Sequence, residues 1–464
     1  MQQRRIHLYT GRTCNWLLVT LYLLLSVAFA ETGDSTNANS LNIDPLDQAH
    51  ARFLKLFNDG LYDQATVAAS QTLEIARWTY GNNSLEAALA QTNLATVQSR
   101  KSDYEPAIKN YMSSIEIIED SEGIVSPRLI NPLMGLASAY NTTGAYDLGL
   151  LTYERTLRIN HVELGLRNEQ QMPIRDGLTE SYVALGDLDK ADFQQEVQTR
   201  IIRQEFGGNS EQALTSIYKL ARWYERTNQL ELEAYQYQAA LRLIRENTDK
   251  ESPAQIDALR NLAQVYQRAY MPAESMRLLK QSYRLNAEAT EPDPLLAADI
   301  QVQIGDFYTL NGRRRDAQRY YIRAWNTLEQ FGNQEALLEE YFSVPINLAD
   351  RTLPGVYPDN PKTITRFEKN PDTFLDGYVT AQYDIDASGR VRNIRIIESD
   401  PAGILDKRIR MMLSRRYYRP RIIDGIPVET KNKLIQHQFN YEVEPDNTDI
   451  EKDSSRIERP ESNS

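Results

Sequence analysis

The sequence predicts an α+β chain of more than one domain: an α-solenoid of about seven helical hairpins repeating every 42 residues, then a small β-β-α-β domain. Three observations predict it. Steps of 42 residues connect Leu94, Leu136, Leu178, Leu220, Leu262 and Ile304, each followed by Ala, Thr or Gly. Tyrosine stands four positions further on, at Tyr140, Tyr182, Tyr224, Tyr266 and Tyr308. After Asp376 the pattern changes to an alternation of period two, the signature of a strand rather than a helix. A repeat this strict is read before any local signal.

Apolar, small and aromatic side chains at offsets 0, 1 and 4 share one face of a helix. A turn follows at Gly60, Gly144, Gly186, Asn228 and Gly312. A second helix then carries mostly small residues at offset 13 (Ala107, Gly149, Ala191, Glu233, Ser275, Ala317) and tyrosine at offset 17 (Tyr111, Tyr153, Tyr237, Tyr321). Such a hairpin cannot bury its apolar face alone and must stack on the next. The offsets resemble those of the tetratricopeptide repeat family. Its unit is usually about 34 residues, so some eight more must lengthen the helices or loops here. The family's early tryptophan is absent. The first hairpin, roughly 45–80, has Arg52 where leucine is expected, which suits an end cap.

Length, composition and charge set the outer bounds. A chain of 464 residues has room for two or three domains. With 41% hydrophobic and 25% charged residues it is globular in composition, and a net charge of −12 argues against nucleic-acid binding overall. Residues 1–30 read as an export signal: Arg4, Arg5 and Arg12 precede an uncharged run from Trp16, and Ala28-Phe29-Ala30 sets cleavage between Ala30 and Glu31. The alternative is an uncleaved inner-membrane anchor, although the run is short for a span of about 20 residues. Cys14, the single cysteine, precedes the mature chain, so neither disulfides nor thiol chemistry are expected. The expected location is the periplasm of a Gram-negative cell. Residues 31–43 read as a flexible leader, 44–336 as the repeat array, 337–376 as a linker opening the next domain, 377–443 as its core and 444–464 as a disordered tail.

Resemblance to the repeat family implies that offsets two before and two after the leucine face a groove. These are Met134, Asp176, Tyr218 and Arg260, then Ser138, Glu180, Arg222 and Gln264. Acid, base, amide and aromatic together would suit an extended peptide; the alternative is a face that these residues merely solvate.

The C-terminal stretch alternates over 377–386, turns at Ala387-Ser388-Gly389 and alternates again over 391–399, a β-hairpin. Leu405, Ile409, Met412 and Leu413 follow at helical spacing within 401–418, with Pro420 as the stop. A last strand is expected from Ile426-Pro427-Val428 paired with 434–441. Tyr357-Pro358, Gly377-x-Val379, Asp386-x-x-Gly389-x-Val391, Ser399, Leu405-Asp406, Tyr418-x-Pro420, Gly425-x-Pro427-Val428 and Phe439-x-Tyr441 together resemble the C-terminal domain of TonB, the energy transducer of Gram-negative outer-membrane transport. Arg416 occupies the family's usual tryptophan position, no long proline-rich spacer is present, and the apolar run lacks the family's intramembrane histidine. The resemblance implies capture of an extended receptor segment on a sheet edge, which maps to Leu434, Ile435, Gln436, His437 and Gln438. The alternative is an edge covered by the chain's own tail or by a dimer partner.

Other chemistry finds little support. Asp384-x-Asp386-x-Ser388-Gly389 imitates the start of a calcium loop, but Arg390, Arg392 and Arg395 follow where oxygen ligands belong, so a hairpin turn is the better reading. No catalytic, metal or cofactor site is expected. Ten Lys/Arg face three acids between Arg390 and Arg421, a patch that could meet an envelope polymer, an anionic lipid surface or an acidic partner, the acidic repeats included; a solvated basic helix face is the plainer account. Two functions remain. One is a non-enzymatic protein of the TonB family that joins a partner gripped by the repeats to an outer-membrane receptor or envelope protein in transport. The other is a periplasmic scaffold or envelope-assembly factor without energy transduction.

Overall fold

The computed structural model describes residues 44–249, 252–330, 335–348 and 374–442. The expected signal and its Ala30–Glu31 cleavage site, the leader, most of the linker and the tail lie outside the described residues. The chain divides into two units, Met1–Ser216 and Ile217–Ser464. The cut falls inside a helix and was not foreseen, because in an array where each hairpin touches only its neighbours no position is marked as a boundary.

The described part of the first unit consists of α1 (Pro45–Asn58), α2 (Tyr62–Tyr80), α3 (Leu85–Arg100), α4 (Tyr104–Glu122), α5 (Ile130–Thr142), α6 (Tyr146–Leu164), α7 (Met172–Ala184), α8 (Leu188–Glu205) and the start of α9 (Glu211–Arg226). The second unit continues through α9 with α10 (Leu230–Asn247), α11 (Ile256–Arg268), α12 (Pro272–Ala287), α13 (Pro294–Leu310) and α14 (Arg314–Glu329). These fourteen helices form seven hairpins, the 42-residue phase made solid. The eight extra residues go mainly into the second helices, which run to 19 residues in α2, α4 and α6, and into short 3-10 turns such as Pro127–Leu129 and Glu169–Gln171.

The repeat positions pack as their spacing requires. Leu94, Leu136, Leu178, Leu220, Leu262 and Ile304 are all buried, as are the small residues after them. Tyr111 and Tyr153 lean on the next hairpin so closely that a Cβ added to Gly135 would stand 2.3 Å from the Tyr111 ring, and one on Gly177 2.1 Å from that of Tyr153. In the cap, Arg52 is exposed, and Phe53 and Phe57 fill the core in its place. Glu233 departs from its small-residue position: it is buried, paired with Arg268, and pushed up to about 7 by lost hydration against the pull of that guanidinium.

The turn within each hairpin is left-handed at all seven phase positions. Glycine serves at 60, 144, 186 and 312, and Asn228 is tolerant, but Ser102 (φ 66°) and Tyr270 (φ 57°) adopt the same backbone. Left-handed φ costs a residue with a Cβ roughly 1–2 kcal/mol. The Tyr270 side chain is 75% exposed and loses little if removed. Tyr270→Gly is therefore expected to raise stability by about 1 kcal/mol in urea denaturation; a loss would show that the side chain contributes packing.

After α14 come α15 (Glu335–Phe342), β1 (Ile346–Asn347), β2 (Phe374–Ile385), β3 (Val391–Asp400), α16 (Asp406–Ser414), β4 (Tyr418–Arg419), β5 (Arg421–Ile423), β6 (Ile426–Val428) and β7 (Thr430–Glu442). The sheet order is β3-β2-β7, antiparallel throughout, with Ile385 opposite Val391 and Ala381 opposite Ile435. Val379, Ala381, Tyr383, Ile385 and Val391 pack under Ile409 and Leu413 of α16 and against Tyr418.

Three expectations need correction here. The helix ends at Ser414, well before Pro420, because Tyr418 and Arg419 are drawn into a strand opposite Asn347 and Ile346. Ile426–Val428 does not pair with 434–441 but folds back on Arg421–Ile423 through Asp424-Gly425, both at positive φ (51° and 74°), the geometry of a tight two-residue hairpin turn. The first sheet strand opens at Phe374, three residues before the alternation that predicted it.

Candidate partner-binding surfaces

β7 is laid against β2 along its length, and among the described residues no strand lies on its other side. Successive side chains of a strand point to opposite faces. Ile435 and Phe439 turn towards α16 and are partly buried on the core, while Leu434 is 61% exposed, with Gln436 and Gln438 also open to solvent on the far face. His437 lies opposite Val379. Its pKa is held below the usual imidazole value by lost hydration and by the nearby Arg416 and Arg408. The five residues expected at the edge thus lie side by side on a strand that has no second strand beside it among the described residues. An unpaired flank offers main-chain donors and acceptors at the spacing of another strand.

The hairpin joining β2 and β3 is a turn. The Asp386 carboxylate accepts from the backbone N–H of Ser388 (2.9 Å) and of Arg390 (3.0 Å), from the Ser388 hydroxyl (2.6 Å) and from Arg392 Nε (3.1 Å), so its oxygens close the loop themselves. Among the described residues no cluster of His, Cys, Asp and Glu could hold a metal ion.

The groove candidates fall into two groups. In the first unit Met134 and Ser138 lie half-buried on α5, with Asp176 half-buried and Glu180 exposed on α7. Asn141 ties these helices together, donating to Gly177 O (3.2 Å) and to Glu180 Oε2 (3.4 Å). Asp176 accepts from Gln195 (3.1 Å) and Gln198 (2.9 Å) of α8. In the second unit Tyr218 and Arg222 are on α9, Arg260 and Gln264 on α11. Tyr218 packs 6.0 Å from the Tyr237 ring, and burial pushes its hydroxyl up to about 12. Arg260 is paired with Asp299 of α13 and donates to Gln303 (3.1 Å), so it holds neighbouring hairpins together. Arg222, Gln264 and Glu180 remain exposed. Asn141 escaped the sequence reading, although an asparagine beside the turn, five residues after the leucine, was visible.

The basic stretch from Arg390 to Arg421 does not form one surface. Arg392 pairs with Asp386. Arg419 is 3% exposed and makes a two-pronged contact with Asp306 of α13, Nε to Oδ1 at 2.9 Å and Nη2 to Oδ2 at 2.6 Å. The same carboxylate accepts from the Tyr321 hydroxyl at 2.9 Å. Phe342 lies between the Tyr321 and Trp325 rings, and Gln318 of α14 donates to Ala387 O (3.1 Å). One arginine has therefore met the acidic repeats.

Residues 373–442 match the family model described as the Gram-negative bacterial TonB protein C-terminal. The chain thus carries tetratricopeptide-like repeats followed by a TonB-like C-terminal domain. No protein of curated function matches the chain. Among solved structures, similarity is found to the TPR-like repeats of a Podospora anserina kinesin light chain, at 17% identity and a TM-score of 0.39 over 44% of this chain and 95% of that one. A signal-transduction ATPase with a tetratricopeptide repeat sensor from Pyrococcus horikoshii gives 15% and 0.41 over 64% of this chain and 44% of that one. The pilF protein of Pseudomonas aeruginosa gives 14% and 0.34 over 56% and 97%. Repeats and TonB-like domains of these kinds generally bind proteins.

Proposed function

We propose that this protein is a non-enzymatic linker of the Gram-negative periplasm, in which the repeats hold one protein and β7 of the TonB-like domain captures an extended segment of another, an outer-membrane receptor or envelope protein in transport. The observation that supports the reading is that, among the described residues, β7 has one strand neighbour within the segment that matches the TonB family. Strand addition at such an edge takes its affinity from the main chain and its selectivity from alternate side chains. A second reading, an envelope scaffold without energy transduction, is favoured by the way Arg419 and β4 bind the domain to the last hairpin in place of a long spacer.

Proline at the edge tests the capture. Neighbouring residues of a strand point their N–H groups to opposite sides, so one of Ile435→Pro and Gln436→Pro leaves the β2 ladder intact and blocks the free side. The variant that keeps wild-type circular dichroism should lose about tenfold or more in affinity for the partner that the full chain purifies from envelope extract. Unchanged capture by that folded variant refutes the edge. A mature, soluble product beginning at Glu31 would exclude direct coupling to an inner-membrane motor and leave the scaffold.

A further inference from the structure

The middle of β7 is basic. From Thr430 to Asn440 the strand contains Lys431, Lys433 and His437, its one acid, Glu442, standing at the far end; Glu429 lies just before it, 3.6 Å from Lys431, and the Asn432 N–H donates to Asp384 of β2 (2.9 Å). The rotation of α16 is fixed at its first turn, where the Ser399 hydroxyl of β3 lies 2.7 Å from Asp406. Arg408, two residues on, is about 200° further round the helix and so leaves the β3 side, projecting from the flank nearer β7. It is exposed. Arg416 stands just past the helix, and Lys433 of β7, opposite Tyr383, lies 5.8 Å from the Tyr418 ring on the same face. Lost hydration first, and then Arg416 and Arg408, hold the His437 pKa below its usual value.

Building on the reading of β7 as a capture edge, we infer that the captured segment is acidic, an extended peptide whose helix-side positions carry Asp or Glu opposite Arg408, Arg416 and Lys433. Side chains on one face of an added strand recur roughly every 7 Å, so acids two or four positions apart would match Lys433 and His437, which are four apart along β7. Main-chain bonds would provide most of the grip. The cations would choose the register and speed the encounter, a contribution that salt screens.

The test uses the full chain and two fluorescent peptides of about ten residues, one with Glu alternating with Val and Thr, the other identical but with Gln for Glu. The acidic peptide should bind about tenfold more tightly at low salt, since two or three exposed ion pairs are worth about that much, and the gap should close at about 300 mM NaCl. Arg408→Glu, on the exposed flank, should abolish the preference without altering the melting curve. Equal binding of both peptides, lost together in the folded proline variant, would overturn the acidic preference and leave the edge standing. No binding of either would overturn both readings. Binding seen only after removal of residues 443–464 would give the site to the chain's own acidic end and overturn the proposal.

Discussion

Arg419→Met is expected to destabilise the second unit by about 3–5 kcal/mol, because removing one member of a buried ion pair leaves the other charge without compensation. The abandoned group would be Asp306, which accepts both prongs of the guanidinium as well as the Tyr321 hydroxyl. Arg419 Nη1 also donates to Tyr341 O (3.3 Å), and its guanidinium lies 5.7 Å from the Tyr341 ring, so several contacts leave with it. The measurement is a double-mutant cycle in urea with Asp306→Leu. Two apolar groups in place of the pair should be less costly than either single change. Single variants within about 0.5 kcal/mol of the wild type would mean that the pair contributes nothing to joining the TonB-like domain to the last hairpin.

Gly177→Ala should be the most damaging single-methyl change in the first unit. The added carbon would lie 2.1 Å from Cζ of Tyr153, and Tyr153 is 5% exposed, with little room to retreat. Overpacking of this kind costs about 1–3 kcal/mol, and more where the neighbour is a fixed ring. Tyr153→Leu shortens the intruding side chain and should recover part of the loss in the double variant. A wild-type melting temperature for Gly177→Ala would show that α6 and α7 slide apart freely.

The array could be read from the sequence because its physics repeats. Every hairpin needs the same buried leucine, the same small neighbour and the same aromatic, so a single weak position such as Arg52 is outvoted. The left-handed turns were visible where glycine marked them but not at Ser102 and Tyr270, since the phase imposes that backbone without demanding the residue. The β5–β6 hairpin was missed although Asp424-Gly425 is a strong turn signal, because Ile426-Pro427-Val428 was assigned to a distant partner first. The Arg419–Asp306 contact spans 113 residues and leaves no local trace in the chain. Arg408 and Arg416 were counted as part of a basic run; only the rotation of α16 shows which of those charges flank β7.

The pairing of β1 with β4 sets the inherited module at odds with the folded body. The family match opens at residue 373, yet Ile346 and Asn347, which complete the sheet contact of Tyr418 and Arg419, lie before it, as do Phe342 and Asp306. A fragment excised at the module's border would carry Arg419 out with no counterion and bare the flank of Tyr418. Transplanting this domain to another protein would call for a recipient that ends in a hairpin offering the same carboxylate and the same short strand.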